Sequence, residues 1–388
     1  MGRMGKKVST KIIHIGSSPN LHHGSINDPI YRNSTLIFEN YNSFVSSKKK
    51  KFSSPYYGRL STYTSRRFEK VVKQLYSAES SVITSSGLSA ITISLMSFLN
   101  INDELLIVEN CYEPVSNFAN SLLSKFGVKT KYYNTNNFKE FTKMVNKKTK
   151  LIYLESPGSL NFEVQDIEKF TNFAKKNGII TIMDNTWSTF LGCNPLKFGV
   201  DIVIESCTKY FSGHSDTFCG LIVCSKKFHN QLKQTAVQLG DYVSPDSCFY
   251  ALRGLKTLKV RLDQHQKNAE NVYNFLKQEK IVDKIFYLPD QSNIYHKLWK
   301  KYHSLNNGLI TFSLKKKGDQ QKFLDGLNYF KIGFSWGGYE SLIIPIDCLK
   351  PSINTSKNTK YWFRIHVGLE SHNDLVYDLK NGLKKYEK

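Results

Sequence analysis

From about residue 65 onward, short apolar runs alternate with stretches of helical spacing. The segment SRRFEKVVKQLY sets its apolar residues on one helical face. The strand candidates that follow are SVIT (81–84), ELLIV (104–108), VKTKYY (128–133), KLIYLE (150–155), IITIM (179–183), DIVIE (201–205) and GLIVC (220–224). Between them, SNFANSLLSKF and DIEKFTNFAKKN repeat at helical intervals. Near-continuous apolar strands alternating with helices predict an α/β layer on a mostly parallel seven-stranded sheet, covered on both faces. Beyond about residue 250 the alternation stops. LRGLKTLKVRLDQHQKNAENVYNFLKQ reads as a long helical stretch and GLITFSL as one of several shorter elements, which predicts a smaller α+β C-terminal domain. Residues 1–60 are rich in Ser, Asn, Gly and Lys without a sustained apolar period, and read as an arm. The division is therefore 1–60, 61–250 and 251–388. Lys48 to Lys51, between serine pairs, predicts a solvated loop tip, and KKK at 315–317 before Gly318 an exposed strand end or turn.

A chain of 388 residues with 40% hydrophobic and 13% aromatic content can bury a sizeable core. Its 54 Lys+Arg against 32 Asp+Glu give a charge of +22, which invites a nucleic-acid or anionic-membrane partner. The detail weakens that reading. There are 46 Lys to only 8 Arg, alongside 31 Asn, the profile of AT-rich codon usage. The lysines spread through nearly every helix and loop, and no nucleic-acid motif is present. A basic binder of nucleic acid or membrane surface stays as the non-enzyme alternative, and it predicts lysines clustered on one face. Seven dispersed cysteines (Cys111, Cys193, Cys207, Cys219, Cys224, Cys248, Cys348) form no C-x-x-C pair, so neither disulfides nor a zinc site is signalled. His22-His23 and His366 with His372 lack metal-ligand spacing, and no metal is assigned. The start MGRMGKKVSTKII has no apolar core of a secretion signal, and Lys6 stands where an acylation motif at Gly2 needs Ser or Thr. No run is long enough to span a membrane. A reducing cytoplasm is the expected location.

In parallel sheets ligands gather at the carboxyl ends of the strands. Three such ends carry chemistry. IITIM is followed by Asp184, either a helix N-cap or a functional acid. DIVIE is followed by SCTKYFSGHSD, which puts Lys209 at the rim of the core, just after the hydroxyls of Ser206 and Thr208. Desolvation there lowers the amine's pKa and frees it for a Schiff base. SVIT runs into SSGLSAITISLMSFL, whose backbone N–H groups at Ser86, Gly87 and Leu88 open an apolar helix and face an anion. A phosphate cradle, an acid and a Schiff-base lysine together are what pyridoxal 5'-phosphate (PLP) requires.

The strings YYGRLST, ENCYEP, LESPGS, IMDNTW, SCTKYFSGHSD, LRGLKTLKVR, SWGGYESL and RIHVGLE, in that order from residue 56 to the C-terminus, resemble the Cys/Met-metabolism family of PLP enzymes. ESPGS, SGHSD and SWGGYES are most similar to its bacterial cystathionine β-lyases. The resemblance implies the aspartate aminotransferase-like fold, fold type I of PLP-dependent transferases. It also implies a homotetramer, a dimer of dimers with shared sites, and an amino-acid substrate. Lys209 would bind the cofactor aldehyde and shuttle the Cα proton, and Asp184 would pair with the ring nitrogen. Tyr112 would stack on the ring and help deprotonate the incoming amine. Gly87, Leu88, Ser206 and Thr208 would hold the phosphate, joined by Tyr57 and Arg59 from the neighbouring subunit. Arg364, with Ser335 and Trp336, would hold the substrate α-carboxylate. His214 reads as a hydrogen-bonded structural residue. The implied reaction is β-elimination of L-cystathionine to homocysteine, pyruvate and ammonia, a step of methionine biosynthesis.

Two positions depart from the β-lyase pattern. Leu60 follows YGR where a second arginine is usual, and Asn117 stands where an aspartate is expected. Both are candidates for reading the distal charged end of cystathionine. Alanine racemisation, which uses the same Cα deprotonation, stays open, as do the γ-lyase and γ-synthase activities of relatives.

Overall fold

A computed structural model of the chain describes residues 7–315, 318–346 and 360–387. Gly2, Lys6, Lys316, Lys317 and Cys348 lie outside the described residues. The seven expected strands all form: β1 (Ser80–Thr84), β2 (Glu104–Val108), β3 (Lys129–Tyr133), β4 (Thr149–Glu155), β5 (Ile180–Asp184), β6 (Ile202–Ser206) and β7 (Gly220–Cys224). They make one sheet in the order β1-β7-β6-β5-β4-β2-β3. β3, β2, β4, β5 and β6 run parallel, while β7 is antiparallel to both β6 and β1. Every residue of β2 and β7 is buried, as a sheet with helices on both faces demands. The core joins Phe68 and Val72 of the helix Tyr63–Tyr76 to Leu106, Ile152 and Ile204 of the strands.

The C-terminal part holds a second sheet of β8 (Val282–Phe286), β9 (Leu309–Lys315), β10 (Lys331–Ile332), β11 (Leu342–Pro345) and β12 (Lys360–His366), ordered β10-β11-β12-β9-β8. Its own core packs Val272 and Leu276 of the helix Leu258–Gln278, and Leu379 of the helix His372–Tyr386, against Phe312 and Phe363.

Two local expectations are corrected. The long helical stretch is two helices, Pro245–Leu255 and Leu258–Gln278, broken at Lys256 and Thr257. The break is built in: the Arg261 guanidinium donates to the carbonyl of Gly254 (2.9 Å), satisfying a helix end. The same guanidinium ties that end to the carbonyl of Tyr210 (2.8 Å), one residue beyond Lys209. The Lys48–Lys51 run is not simply a loop tip. Lys48 and Lys49 close the helix Tyr41–Lys49, which starts where Asn40 accepts from the Ser43 N–H (2.9 Å). Lysines in a last turn suit the negative end of the helix dipole. The arm is also anchored, since Ile12 and Ile15 join the main core and Lys256 donates to the carbonyls of Ile13 (2.8 Å) and Ile15 (2.7 Å).

Candidate active site

At the carboxyl ends of β1, β5 and β6 lies a cleft of about 220 Å³. One wall is the N-terminus of the helix Gly87–Met96. Ser86 caps it, accepting from the Ser89 N–H at 3.0 Å, while the N–H groups of Gly87 and Leu88 make no hydrogen bond among the described residues. Apolar Ala90, Ile91, Ile93 and Leu95 bury the rest of this helix, so its polar end is what reaches the cleft. Ser206, the last residue of β6, and Thr208, just beyond it, face the cleft from the other side. The approach is close enough to demand glycine: a Cβ at Gly87 would stand 2.5 Å from the Ser206 Cβ and 2.6 Å from its Oγ. Two free backbone donors and two hydroxyls at a helix N-terminus form a cup for a dianionic phosphate.

Lys209 rises beside this cup. Its Nζ donates to Ser335 Oγ at 2.6 Å and lies 5.4 Å from the centre of the Trp336 ring. Burial, reinforced by the nearby Arg364 cation and opposed by Asp184, lowers its pKa to about 8. The loop that brings Ser335 here is strained into shape, with Ser335 itself at φ +89° and Gly337 at φ +86°. A Cβ on Gly337 would meet the Tyr210 nitrogen at 2.7 Å, so glycine lets this loop lie against the backbone of the lysine.

Asp184 ends β5. Its Oδ1 accepts from the Thr186 N–H (2.8 Å) and its Oδ2 from the Tyr153 hydroxyl (3.5 Å). Burial raises its pKa, against the pull of those hydrogen bonds and of Lys209. Tyr112 follows β2, half-exposed, and its N–H donates to the buried Glu155 at 2.7 Å. Burial, then the charges of Asp184 and Glu155, hold its phenol above the ordinary pKa. Arg364, on β12, is buried at 7% exposure. Its Nη2 donates to the Ser335 carbonyl at 3.4 Å, and no carboxylate pairs with it among the described residues. Burial pushes its pKa down to about 10, which still leaves it cationic at neutral pH. A buried cation without an anion is costly, and an incoming carboxylate offsets that cost.

The structure thus brings Gly87, Leu88, Tyr112, Asp184, Ser206, Thr208, Lys209 and Trp336 into one cleft, with Ser335 and Arg364 bonded behind it. Tyr57 and Arg59 do not line it. Tyr57 is exposed, and Arg59 donates to the Val237 carbonyl (2.9 Å) in a separate cavity that Leu60 also lines. Asn117 is exposed on the helix Glu113–Phe118, outside the cleft lining. His214 faces the Ser212 carbonyl through Nδ1 (2.6 Å) and lies outside it too. Sequence reasoning passed over Tyr153, Thr186, Trp187 and Phe218. Thr186 and Trp187 sit in the quoted MDNTW string and were within reach. Tyr153 comes from a neighbouring strand, and Phe218, 72% exposed at the cleft's lip, reads as an ordinary loop aromatic.

With this geometry in place, comparison with known proteins is decisive. The pattern of the Cys/Met metabolism PLP-dependent enzymes matches residues 9–384. The chain belongs to that family. Its cofactor is pyridoxal phosphate, and its fold is that of the fold type I PLP enzymes. The chain is 31% identical to the cystathionine beta-lyase of Escherichia coli over 98% of its own length and 99% of that protein. It is 30% identical to the L-alanine/L-glutamate racemase of Wolbachia pipientis, covering 98% and 97%. The crystal structure of cystathionine gamma-lyase from Lactobacillus plantarum superposes with a TM-score of 0.90 at 26% identity, covering 98% and 100%. A PLP-dependent lyase of sulfur amino-acid metabolism is therefore the level of function that family membership carries. The residues fit the cofactor: the cup that excludes a Cβ at Gly87 suits its phosphate, and the largely desolvated Lys209 suits its aldehyde. Among the described residues, no group of three or more His, Cys, Asp or Glu is placed to hold a metal ion, and no helix is long and apolar enough to cross a membrane.

Proposed function

We propose that the protein is a carbon–sulfur β-lyase that splits L-cystathionine to homocysteine, pyruvate and ammonia in methionine biosynthesis. The observation that carries it is the pairing of a Lys209 amine of pKa about 8 with a buried Arg364 that has no anionic partner among the described residues. Arg364 takes the α-carboxylate in a bidentate pair, which sets the Cα–H toward Lys209, with Ser335 and Trp336 bounding the position. Lys209 would hold the cofactor through its Nζ, and the same amine, when free, would take the Cα proton. Bound pyridoxal phosphate supplies the electron sink for that deprotonation. Asp184 would hold the ring nitrogen, Tyr112 would cover the ring, and Gly87, Leu88, Ser206 and Thr208 would hold the phosphate. Trp187 and Phe218 help exclude water from the cleft. Product analysis from cystathionine tests the reading. Pyruvate with homocysteine supports it, and 2-oxobutyrate with cysteine replaces it by a γ-lyase.

A second reading is racemisation of a small amino acid, alanine first. It is favoured by the Wolbachia relative; Leu60 and Asn117, which carry no charge for the far end of cystathionine, lie outside this chain's own cleft and bear on it only through the neighbouring subunit. D-alanine formed from L-alanine at a rate matching or exceeding pyruvate release would make it the main activity. With either activity, we propose a cytoplasmic homotetramer, a dimer of dimers. In it the arm 1–60 contacts the neighbour, 61–250 binds the cofactor and 251–388 forms the C-terminal domain. Tyr57 and Arg59, exposed and outside their own cleft, then serve the neighbour's phosphate.

A further inference from the structure

The lysines look dispersed along the chain, yet the fold gathers five of them, Lys48, Lys49, Lys51, Lys73 and Lys226, around one cavity of about 510 Å³. None of the five forms an ion pair with a described residue. The cavity's one carboxylate, Glu79, already accepts the backbone N–H of Lys226 at 2.7 Å. That N–H opens the helix Lys226–Gln238, whose first turn carries no acidic residue, and the Ser225 Oγ at its cap has no hydrogen-bond partner among the described residues. Two other cavities carry no such excess of cations. One sets Asp319 and Asp325 against Lys322 and Lys385, and the active-site cleft holds a single lysine with Glu155 and Asp184. Five like charges around a concavity repel one another and focus a positive potential into it. The positive end of a helix dipole adds to that field.

We propose that this cavity binds a compact oligophosphate anion, at a site separate from the cofactor cleft, with which it shares no lining residue. Lysines suit such a ligand, being mobile point charges that ring several phosphates without needing a planar fork. Ser53, Ser80 and Asn230 add neutral hydrogen-bonding groups to the lining. An extended nucleic acid fits less well. The cavity offers only two rings, Phe52, whose centre lies 5.0 Å from the Lys51 ammonium, and the half-buried His229, and no run of aromatics on which successive bases could stack.

The test is calorimetric titration of the holoenzyme with inorganic tripolyphosphate at low and raised salt, with cofactor absorbance monitored. Expected are saturable binding to one site per chain, weakening with salt, and no change in cofactor absorbance. In the double variant Lys73→Gln/Lys226→Gln, both exposed positions, affinity should fall at least about tenfold. The exposed pair Lys147→Gln/Lys148→Gln, outside the cavity lining, should stay within about twofold of the parent. Three results would each overturn the proposal: no saturable binding, equal loss in both double variants, or single-stranded oligothymidylate binding more tightly than tripolyphosphate.

Discussion

Replacing Lys209 by alanine removes an amine that burial and Arg364 hold at a pKa of about 8. Activity should fall by at least about 10²-fold in a pyruvate-release assay. The fold should not suffer near neutral pH, because a depressed lysine pKa means that the amine opposes folding, at a cost that grows as pH falls from 10.5 to about 8 and is complete below that. Calorimetry of the two proteins checks that half of the expectation. Arg364→Lys keeps a charge but loses the planar fork, so KM for the amino-acid substrate should rise about ten- to a hundredfold, measured by steady-state kinetics. Glu205 is a different case, a fully buried acid outside the cleft lining, accepting a hydrogen bond from Tyr76 on the far side of β6. Burial, with a smaller push from Asp184, raises its pKa to about 8. The folded chain therefore keeps a proton that the unfolded chain gives up at ordinary carboxyl pH. The stability this contributes is fully present below about pH 4.5 and is lost as pH rises toward 8. Glu205→Gln should flatten that decline, and denaturant midpoints from pH 5 to 9 for both proteins would show it. Of these three residues, Lys209 could be picked out by its place after an apolar strand. Glu205 could not: DIVIE reads as strand, and its partner Tyr76, whose hydroxyl also accepts from Asn185, reaches it only in the fold.

At the scale of elements, the strands were the most legible feature, because most are β-branched apolar runs of strand length; β3, KTKYY, is the polar, partly exposed exception. Their directions were less so. Nothing in GLIVC tells that β7 runs against its neighbours, since a fully buried strand has no polar face to mark its register. The break after Leu255 was equally hidden, for it depends on Arg261 reaching back to Gly254 and across to Tyr210. The small-residue turn before the helix Gly87–Met96 was visible, but the reason for its glycine was not. That reason is Ser206, which comes from another strand end. Gly87→Ala should force the two apart and open the phosphate cup. A cofactor dissociation constant at least about tenfold weaker, read from absorbance after dialysis, is expected.

For the whole molecule, the shared-site reading makes its own prediction. Lys209→Ala and Arg59→Ala variants, each nearly inactive, should regain activity when unfolded and refolded together, because one site in the mixed dimer then carries neither change. No recovery would leave each chain's site self-sufficient. The overall charge of +22 also changes meaning at this scale. Composition and spacing were enough to establish an α/β protein with a lysine, an acid and an anion cradle at strand ends, because burial period and local turn chemistry act over a few residues. The pKa of Lys209, the lone cation at Arg364 and the five-lysine cavity came from packing. Each joins residues far apart in the chain, and desolvation and Coulomb repulsion depend on distance in space, which spacing along a sequence does not carry.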